Sequence, residues 1–583
     1  MKRNTKAEAE FNRIRKQYRE LKDQAEATKS SKLWHLESAI RGKLRALKAM
    51  DRDNLRNYRQ VCENYAALLD EVSVRLLENY NRINRTDYEF EDVISDRRGA
   101  YLSAGIMSVL MTSHIPKVVT GEFNRLLPGN PKDGYPAARK MKRRFVLHLG
   151  DTNTGKTYDA LTRLKSCGDG AYLSPLRILA LENYERLNGE GVPCSLLTGE
   201  EEVKVEGARH ISCTVEKADI LKTYTIAVID EIQMISDSQR GDAWTRAILG
   251  LRCGEIHLCG AMTAKEQLIR MIQDCGDELE LIEYTRRVPL QTEKRCVRRG
   301  EAQPGDALVA FSRKGVLALS EYYSEKGMGC SVIYGDLPPE VRRLQYEAFL
   351  SGKNPILAST DAIGMGVNLP IRRIIFTEIR KFDGEEYRLL TSQEVKQIAG
   401  RAGRRGIYEV GYVACSDDDI NFIEDRLNTE DEKIESAVVG PSEAILSIGA
   451  LPLGEKLALW SEREEALGFY RKKDIRDYLL ILDRLKPYRL PEATSWRLMT
   501  LPFDAGSDEL MGQFISFVEE RFVRKAGELT KPELMSTSLS SYEEYYQKIN
   551  LYYSFSKSLH LDFDEQWVYE SRKTVSVEIN RIL

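Results

Sequence analysis

The stretch Phe145-Val-Leu-His-Leu-Gly150-Asp-Thr-Asn-Thr-Gly155-Lys156-Thr157 decides the fold. A short apolar run meets a glycine-bounded turn, and a helical pattern follows from Tyr158 to Leu164. A buried strand that ends in Gly-x-x-x-x-Gly-Lys-Thr and opens a helix is the local build of a phosphate-binding loop. Its glycines let backbone N–H groups approach phosphate oxygens, and the helix N-terminus adds positive potential there. Gly150, Thr152, Asn153, Thr154 and Gly155 would form the cradle. Lys156 would neutralise β- and γ-phosphate oxygens, and the Thr157 hydroxyl would join a Mg²⁺ shell. The plainer reading is a glycine-rich turn with a surface lysine, against which the flanking strand and helix argue.

Two further segments lie downstream, at separations of about 75 and about 165 residues, which suit two successive P-loop-type α/β domains sharing one nucleotide. Asp230-Glu-Ile-Gln233 follows the apolar strand Ala227-Val-Ile. Mg²⁺ prefers oxygen ligands and keeps several waters, so the metal site needs only Thr157, Asp230 and phosphate. Glu231 is placed to deprotonate an attacking water. Gln233 does not titrate, and its amide could couple the site by hydrogen bonds to the second α/β unit. In Gln397-Ile-Ala-Gly-Arg401-Ala-Gly-Arg404-Arg405, the spacing predicts Gln397, Arg401 and Arg404 on one face of a helix, with Arg405 off it. Arginines arriving at a γ-phosphate stabilise charge on its equatorial oxygens, a contribution of about 10³–10⁵ in rate where it has been measured. Standing alone, this segment also fits a solvated basic helix.

Around these segments the chain alternates short apolar runs with helical stretches. Ile256–Cys259, Ala307–Phe311, Cys330–Ile333, Pro355–Ala358 and Arg373–Phe376 read as strands buried on both faces. The fold class is therefore α/β, with parallel sheets and functional loops at the strands' carboxyl ends. The termini read as helical. Phe11, Ile14, Tyr18 and Leu21 recur at helical spacing, as do Leu36, Ile40, Leu44 and Leu47, and then Tyr65, Leu68, Val72 and Leu76. Turn residues crowd Pro128–Gly134. The expected domains are an N-terminal helical domain (1–140), two α/β domains (141–290 and 291–435) and a C-terminal helical domain (436–583). The aromatic stripe Tyr542, Tyr545, Ile549, Tyr552 and Tyr553 reads as core rather than as a stacking platform for bases.

The 583 residues exceed a single core. The net charge of −3 carries no global polyanion-binding signature, yet residues 1–60 hold 17 Lys/Arg against 8 Asp/Glu, and Arg139-Lys-Met-Lys-Arg-Arg144 is a dense basic run. Such runs fit a solvated face as readily as a binding surface. The 10 Cys are scattered without CxxC pairs, which suits a reducing compartment. No apolar run is long enough to span a membrane. The first ten residues lack an apolar signal core and carry Glu8 and Glu10, so the expected compartment is the cytoplasm.

The chain resembles superfamily-2 DExH/D-box helicases, in particular the mitochondrial degradosome RNA helicase family and its bacterial relatives. The resemblance rests on the phosphate loop, Asp230–Met234, Ser174-Pro-Leu-Arg-Ile-Leu-Ala180, Tyr334–Arg342, Thr360–Leu369 and Gln397–Gly406. It implies two tandem RecA-like domains with parallel sheets, flanked by helical domains, and an ATP-dependent RNA helicase moving 3′→5′ with ATP and Mg²⁺. It further implies that Pro175, Arg177, Thr198, Gly199 and Thr214 grip the backbone of the strand from the first domain, and Ser312, Arg313 and Thr360 from the second. Asp361, Gly364 and Gly366 would lie at the nucleotide cleft, and Thr263 would couple hydrolysis to strand separation. Contacts of this kind read phosphate and sugar rather than base edges, so little sequence specificity is expected. The implied partners are single-stranded and duplex RNA, with DNA as the alternative substrate, and a 3′→5′ exoribonuclease. The family's Ser-Ala-Thr coupling motif is Ala261-Met-Thr263 here, and no adenine-specifying Gln motif is present.

Overall fold

The computed structural model describes residues 2–50, 55–84, 87–95, 97–112, 126–365, 369–384, 386–404, 406–416, 420–448, 451–463 and 467–583. Gly366 and Arg405 lie outside these residues. The chain divides into two compact units.

The first unit comprises residues 1–127, 383–386 and 441–464. Its long helices are Lys2–Ala27, Trp34–Ala49 and Tyr58–Asn84. Their apolar positions recur on the faces that bury Phe11, Ile14, Ile40, Leu44, Tyr65 and Val72 in one core. The Tyr65 hydroxyl donates to the Ile14 carbonyl at 2.7 Å, and Arg75 caps the end of the first helix through the carbonyls of Ala25 and Thr28. Residues 441–464 belong to this unit although the sequence separates them widely from residues 1–127. Helix Leu453–Glu462 buries Leu457 and Trp460 in this unit, and Ser461 bonds Ser108 at 3.3 Å.

The second unit holds both α/β domains. Strands β1 (Arg144–Gly150), β2 (Gly170–Ser174), β3 (Cys194–Leu197), β4 (Glu202–Val203), β5 (His210–Thr214), β6 (Thr223–Ile229), β7 (Arg252–Gly260) and β8 (Glu278–Tyr284) form a sheet in the order 4-3-5-2-6-7-1-8. All of its pairings are parallel except that of β3 with the short edge strand β4. The apolar runs of β1 and β6 are buried on both faces, which is why they read as continuous rather than alternating. Strands β9 (Leu290–Thr292), β10 (Asp306–Val309), β11 (Cys330–Ile333), β12 (Ile356–Ser359), β13 (Arg373–Phe376) and β16 (Gly411–Cys415) form the second sheet, fully parallel in the order 11-12-10-13-16-9. A hairpin of β14 (Arg380–Phe382) and β15 (Tyr387–Leu389) leads into helix Ser392–Ala399. The architecture is two RecA-like domains with parallel sheets, as expected. Helices Arg476–Leu485, Glu492–Met499, Asp508–Val518, Leu539–Ser558 and Glu565–Ile582 complete the unit. The stripe on helix Leu539–Ser558 is core, with Tyr542, Ile549, Tyr552 and Tyr553 buried. No helix among the described residues is long and apolar enough to cross a membrane.

Candidate nucleotide site and strand contacts

Because β6, β7 and β1 are neighbours, their carboxyl ends bring three loops together. The loop after β1 turns through Asn153 (φ 63°) and Gly155 (φ 92°) into helix Lys156–Lys165. Both residues sit in the left-handed region, which Gly tolerates without strain and Asn at small cost. A Cβ on Gly155 would meet nothing within 4 Å, so open space lies over the loop. Buried Lys156 donates to the loop's own carbonyls, Asp151 at 2.8 Å and Gly150 at 3.3 Å. Those bonds are ones an anion bound in the loop would compete for.

Asp230 follows β6 and is buried. Thr157 Oγ1 donates to its Oδ1 at 3.1 Å, the Tyr172 hydroxyl donates to its Oδ2 at 3.0 Å, and Trp244 Nε1 donates to its carbonyl at 3.0 Å. Burial, reinforced by the neighbouring Glu231 charge, raises its pKa to about 6. A cation beside this carboxylate would relieve that penalty, and the paired hydroxyl and carboxylate fit the hard, oxygen-preferring Mg²⁺.

Glu231 adopts a left-handed backbone (φ 48°). For a non-glycine residue this costs energy, and such costs concentrate at working sites. Its side chain accepts from Gln233 Nε2, while Gln233 Oε1 accepts from the backbone N–H of Ala261 at 3.1 Å. Gln233 therefore ties Glu231 to the loop after β7, within the first domain rather than across to the second as the sequence suggests. A Cβ on Gly260 would stand 2.5 Å from Gln233 Oε1, so only glycine permits this bridge. Next to it, the Thr263 hydroxyl is buried without a hydrogen-bond partner. An orphaned donor of this kind, lining the cleft, fits a phosphate.

From the second domain, Gln397 and Gly400 line the same cleft of about 1000 Å³ as Lys156, Glu231 and Thr263. Arg401 Nη2 lies 3.9 Å from Glu231 Oε1, and its guanidinium donates to the Gly364 carbonyl. The expected single helical face is corrected here. The helix ends at Ala399, and Gly403 turns through φ 74° against Gly411, where a Cβ would meet backbone at 2.8 Å. Arg401 and Arg404 thus sit on a turn, and neither is among the residues lining the cleft. The two domains touch at this turn, since Asn153 Nδ2 donates to the Gly403 carbonyl at 3.2 Å and Thr152 approaches Gly400. Arg286, which the sequence reading passed over, holds the same turn through the carbonyls of Gly400 (2.7 Å) and Ala402. Its only signal is its place just after β8, in the linker between the domains.

Asp361 does not line the cleft. Lys381 holds it at 2.8 Å and also reaches Glu394 at 3.0 Å, while Arg388 bonds Glu394 through both terminal nitrogens at 2.9 Å. Glu394 closes a capping box with Thr391 at the start of helix Ser392–Ala399, so the hairpin is fastened to that helix.

The residues expected to grip a strand have internal partners. The Arg177 side chain is 9% exposed and donates to Glu200 at 2.6 Å, Glu201 at 2.9 Å, Glu340 at 2.8 Å and the Tyr546 hydroxyl at 3.0 Å. Arg313 pairs with Glu543 at 2.7 Å. Thr198 Oγ1 accepts from the N–H groups of Glu200 and Glu201, Ser312 caps helix Arg313–Glu325, and Thr360 Oγ1 accepts from Ala362 N–H. The carbonyls of Pro175 and Gly199 accept from Arg240 and Ser554, and half-buried Thr214 ends β5. Arg139 and Arg143 of the basic run are structural as well. Arg143 is fully enclosed, bonding Asp277 and the carbonyls of Ile248 and Leu251.

Three family models match the chain: the DEXQ-box helicase domain of Suv3 at residues 131–284, the helicase conserved C-terminal domain at residues 292–406, and the ATP-dependent RNA helicase SUV3 C-terminal domain at residues 539–583. The chain is 37% identical over 480 residues to the Arabidopsis thaliana mitochondrial DExH-box ATP-dependent RNA helicase DExH16, covering 76% of this chain and 81% of that one. It is 40% identical over 350 residues to DExH18 of the same plant, also mitochondrial, covering 58% of this chain and 43% of that one. To the mitochondrial ATP-dependent RNA helicase SUV3L of Oryza sativa it is 45% identical over 290 residues, covering 48% of this chain and 39% of that one. The chain thus spans well under two thirds of the latter two relatives. Among solved structures it is similar to S. cerevisiae Dbp5 bound to RNA and ADP BeF3, with a TM-score of 0.39 at 15% identity over 56% of this chain and 91% of that one. The cytoplasmic expectation rested on the composition of the first residues, and these relatives correct it, for all three are mitochondrial proteins.

Proposed function

The chain belongs to the Suv3 family of DExH-box ATP-dependent RNA helicases, and on that premise we propose that it hydrolyses ATP to move 3′→5′ along single-stranded RNA and to separate duplexes ahead of it. The observation that carries this reading is the connectivity of Glu231. It is joined through Gln233 to the loop after β7 and faces Arg401 of the second domain at 3.9 Å. One carboxylate therefore senses both sides of the cleft.

In this reading Gly150, Thr152, Asn153, Thr154 and Gly155 present backbone N–H groups to the substrate's phosphates. Lys156 leaves the loop carbonyls to neutralise β- and γ-oxygens. Thr157 Oγ1 and Asp230 hold Mg²⁺, which when bound screens the charge of those oxygens. Glu231 takes a proton from the attacking water, with Gln233 holding its carboxylate in place. Arg401 and Gln397 meet the γ-phosphate from the second domain, and Arg404 joins them on rotation of the turn that carries it. Loss of the γ-phosphate releases these contacts, so the two domains part and close once per turnover, as in other phosphate-sensing switches. With Pro175, Arg177, Thr198, Gly199 and Thr214 on one domain and Ser312, Arg313 and Thr360 on the other holding strand phosphates, each cycle advances the strand. A role in RNA turnover beside a 3′→5′ exoribonuclease docked on the terminal helices extends this proposal.

Strand displacement tests it. A duplex with a 3′ single-stranded RNA tail should be unwound with ATP, and one with a 5′ tail should not. RNA-stimulated ATP turnover without displacement would favour an ATPase that remodels complexes, and equal displacement from DNA tails would remove the preference for RNA. Glu231→Gln should lower RNA-stimulated turnover by about 10²–10⁴.

A further inference from the structure

The two arginines assigned to the strand are not free to meet it. Arg177, on the first domain, is surrounded by Glu200, Glu201 and Glu340, and Glu340 belongs to the second domain. Tyr546 accepts from Arg177 at 3.0 Å and donates to Glu340 at 2.9 Å, which ties helix Leu539–Ser558 to both. One turn earlier on that helix, Glu543 meets Arg313 at 2.7 Å and accepts from the Tyr334 hydroxyl. A carboxylate presents oxygens to a guanidinium much as a phosphate does, and charge-assisted pairs of either kind are strong.

Both pairings are incomplete. The Nε of Arg177 and the Nε of Arg313 are each buried without a hydrogen-bond partner, as is Glu201 Oε1. An unmet buried donor costs free energy, and three carboxylates around one guanidinium leave excess negative charge. The arrangement is thus a serviceable but imperfect substitute for phosphate ligation.

We propose that Glu340, Glu543 and Tyr546 form an autoinhibitory latch, in which carboxylates stand where strand phosphates bind and helix Leu539–Ser558 closes the grip when no strand is present. This rests on the reading of Arg177 and Arg313 as strand contacts. An entering strand exchanges phosphates for carboxylates on both arginines and so releases the C-terminal helix from both domains together. Glu340 and Tyr546 act through Arg177 and are positioning residues. The latch restricts the grip to polyanions able to displace two carboxylates at once.

The test is the affinity of the full chain for a fluorescent single-stranded RNA without nucleotide, read by anisotropy. Glu340→Gln and Glu543→Gln, made separately, should each tighten binding by roughly two- to fivefold, the scale of one partly solvated ion pair. Glu347→Gln, an exposed pair with Arg343 on the same helix as Glu340, should leave it unchanged. Arg177→Ala and Arg313→Ala should weaken it. If the arginine variants bind as the parent does, the strand-contact reading fails and the latch with it. If they weaken binding but neither glutamate variant tightens it, the latch alone is overturned. Equal tightening by Glu347→Gln would assign the effect to bulk charge and overturn it too. Thermal melting of each variant shows whether it is folded, and the two glutamate sites report independently.

Discussion

A methyl group at position 400 would stand 1.7 Å from Thr152 Oγ1. That single distance makes the closest approach of the two domains at the cleft depend on glycine. Gly400→Ala should leave each domain folded and force the cleft apart, lowering ATP turnover roughly tenfold or more, since overpacking of a tight contact costs about 1–3 kcal/mol. Thr152→Ala in the same chain removes the nearest atom and should recover part of the loss in a steady-state turnover assay. Asp230 yields a second expectation. Its pKa is raised from 3.8 to about 6, so the folded state binds more protons than the unfolded one between those values, and stability falls as pH rises through that window. Asp230→Asn should therefore raise the melting temperature of the nucleotide-free protein at pH 7.5 by roughly a few degrees. The gain should vanish below about pH 4, the unfolded value of an aspartate; a gain independent of pH would show that the burial penalty lies elsewhere. That Thr157 would meet Asp230, and Lys156 share a cleft with Glu231, was legible in the sequence because each segment is local to one strand end. Arg286 and the partners of Arg177 were not, because long side chains reach residues far away in sequence.

At the scale of elements, β8, β1 and β7 are laced by polar groups through an otherwise apolar sheet. Asp159 accepts from the Tyr284 hydroxyl at 2.8 Å, Tyr284 meets His148 at 2.9 Å, His148 meets His257 at 2.7 Å, and His257 meets Glu255 at 2.8 Å, which Arg163 holds. Burial, with the adjacent His257, lowers His148 from 6.5 to about 4. The unfolded chain then takes up a proton that the folded one refuses, so stability is full above about pH 6.5 and is lost as pH falls toward 4, by on the order of 2–3 kcal/mol. Denaturant titrations across that range should show the loss, and His148→Leu should flatten it even though it lowers stability overall. Replacing the enclosed Arg143 by Met should cost about 3 kcal/mol, because it leaves Asp277 with Arg139 alone at 3.3 Å and removes the donor to the buried carbonyls of Ile248 and Leu251. Elements with long apolar runs were readable in advance for the reason that buries them. Short polar strands such as β4, β14 and β15 have no such pattern, and the helix projected through Gly400 and Gly403 failed because Gly403, at φ 74°, turns the chain where periodicity alone extends a helix.

At the scale of the molecule, residues 441–464 pack with residues 1–127, a long-range return that a linear reading of periodicity does not contain. A chain lacking only residues 1–127 would expose Leu457 and Trp460 of helix Leu453–Glu462. It should aggregate in size-exclusion chromatography with light scattering, whereas removal of residues 441–464 as well should leave the second unit monodisperse. The compartment of the relatives was likewise not legible, since an address is read by receptors and leaves no mark on a packed core. The fastening of the β14–β15 hairpin to helix Ser392–Ala399 through Lys381, Arg388 and Glu394 has a consequence of its own. Phe382 and Tyr387, exposed at 50% and 72% with ring centroids 5.4 Å apart, are joined by these bonds to the helix that carries Gln397. Both rings lie outside the cleft, so if the domains part and close as proposed, an environment-sensitive dye placed beside them should register the movement without touching the nucleotide.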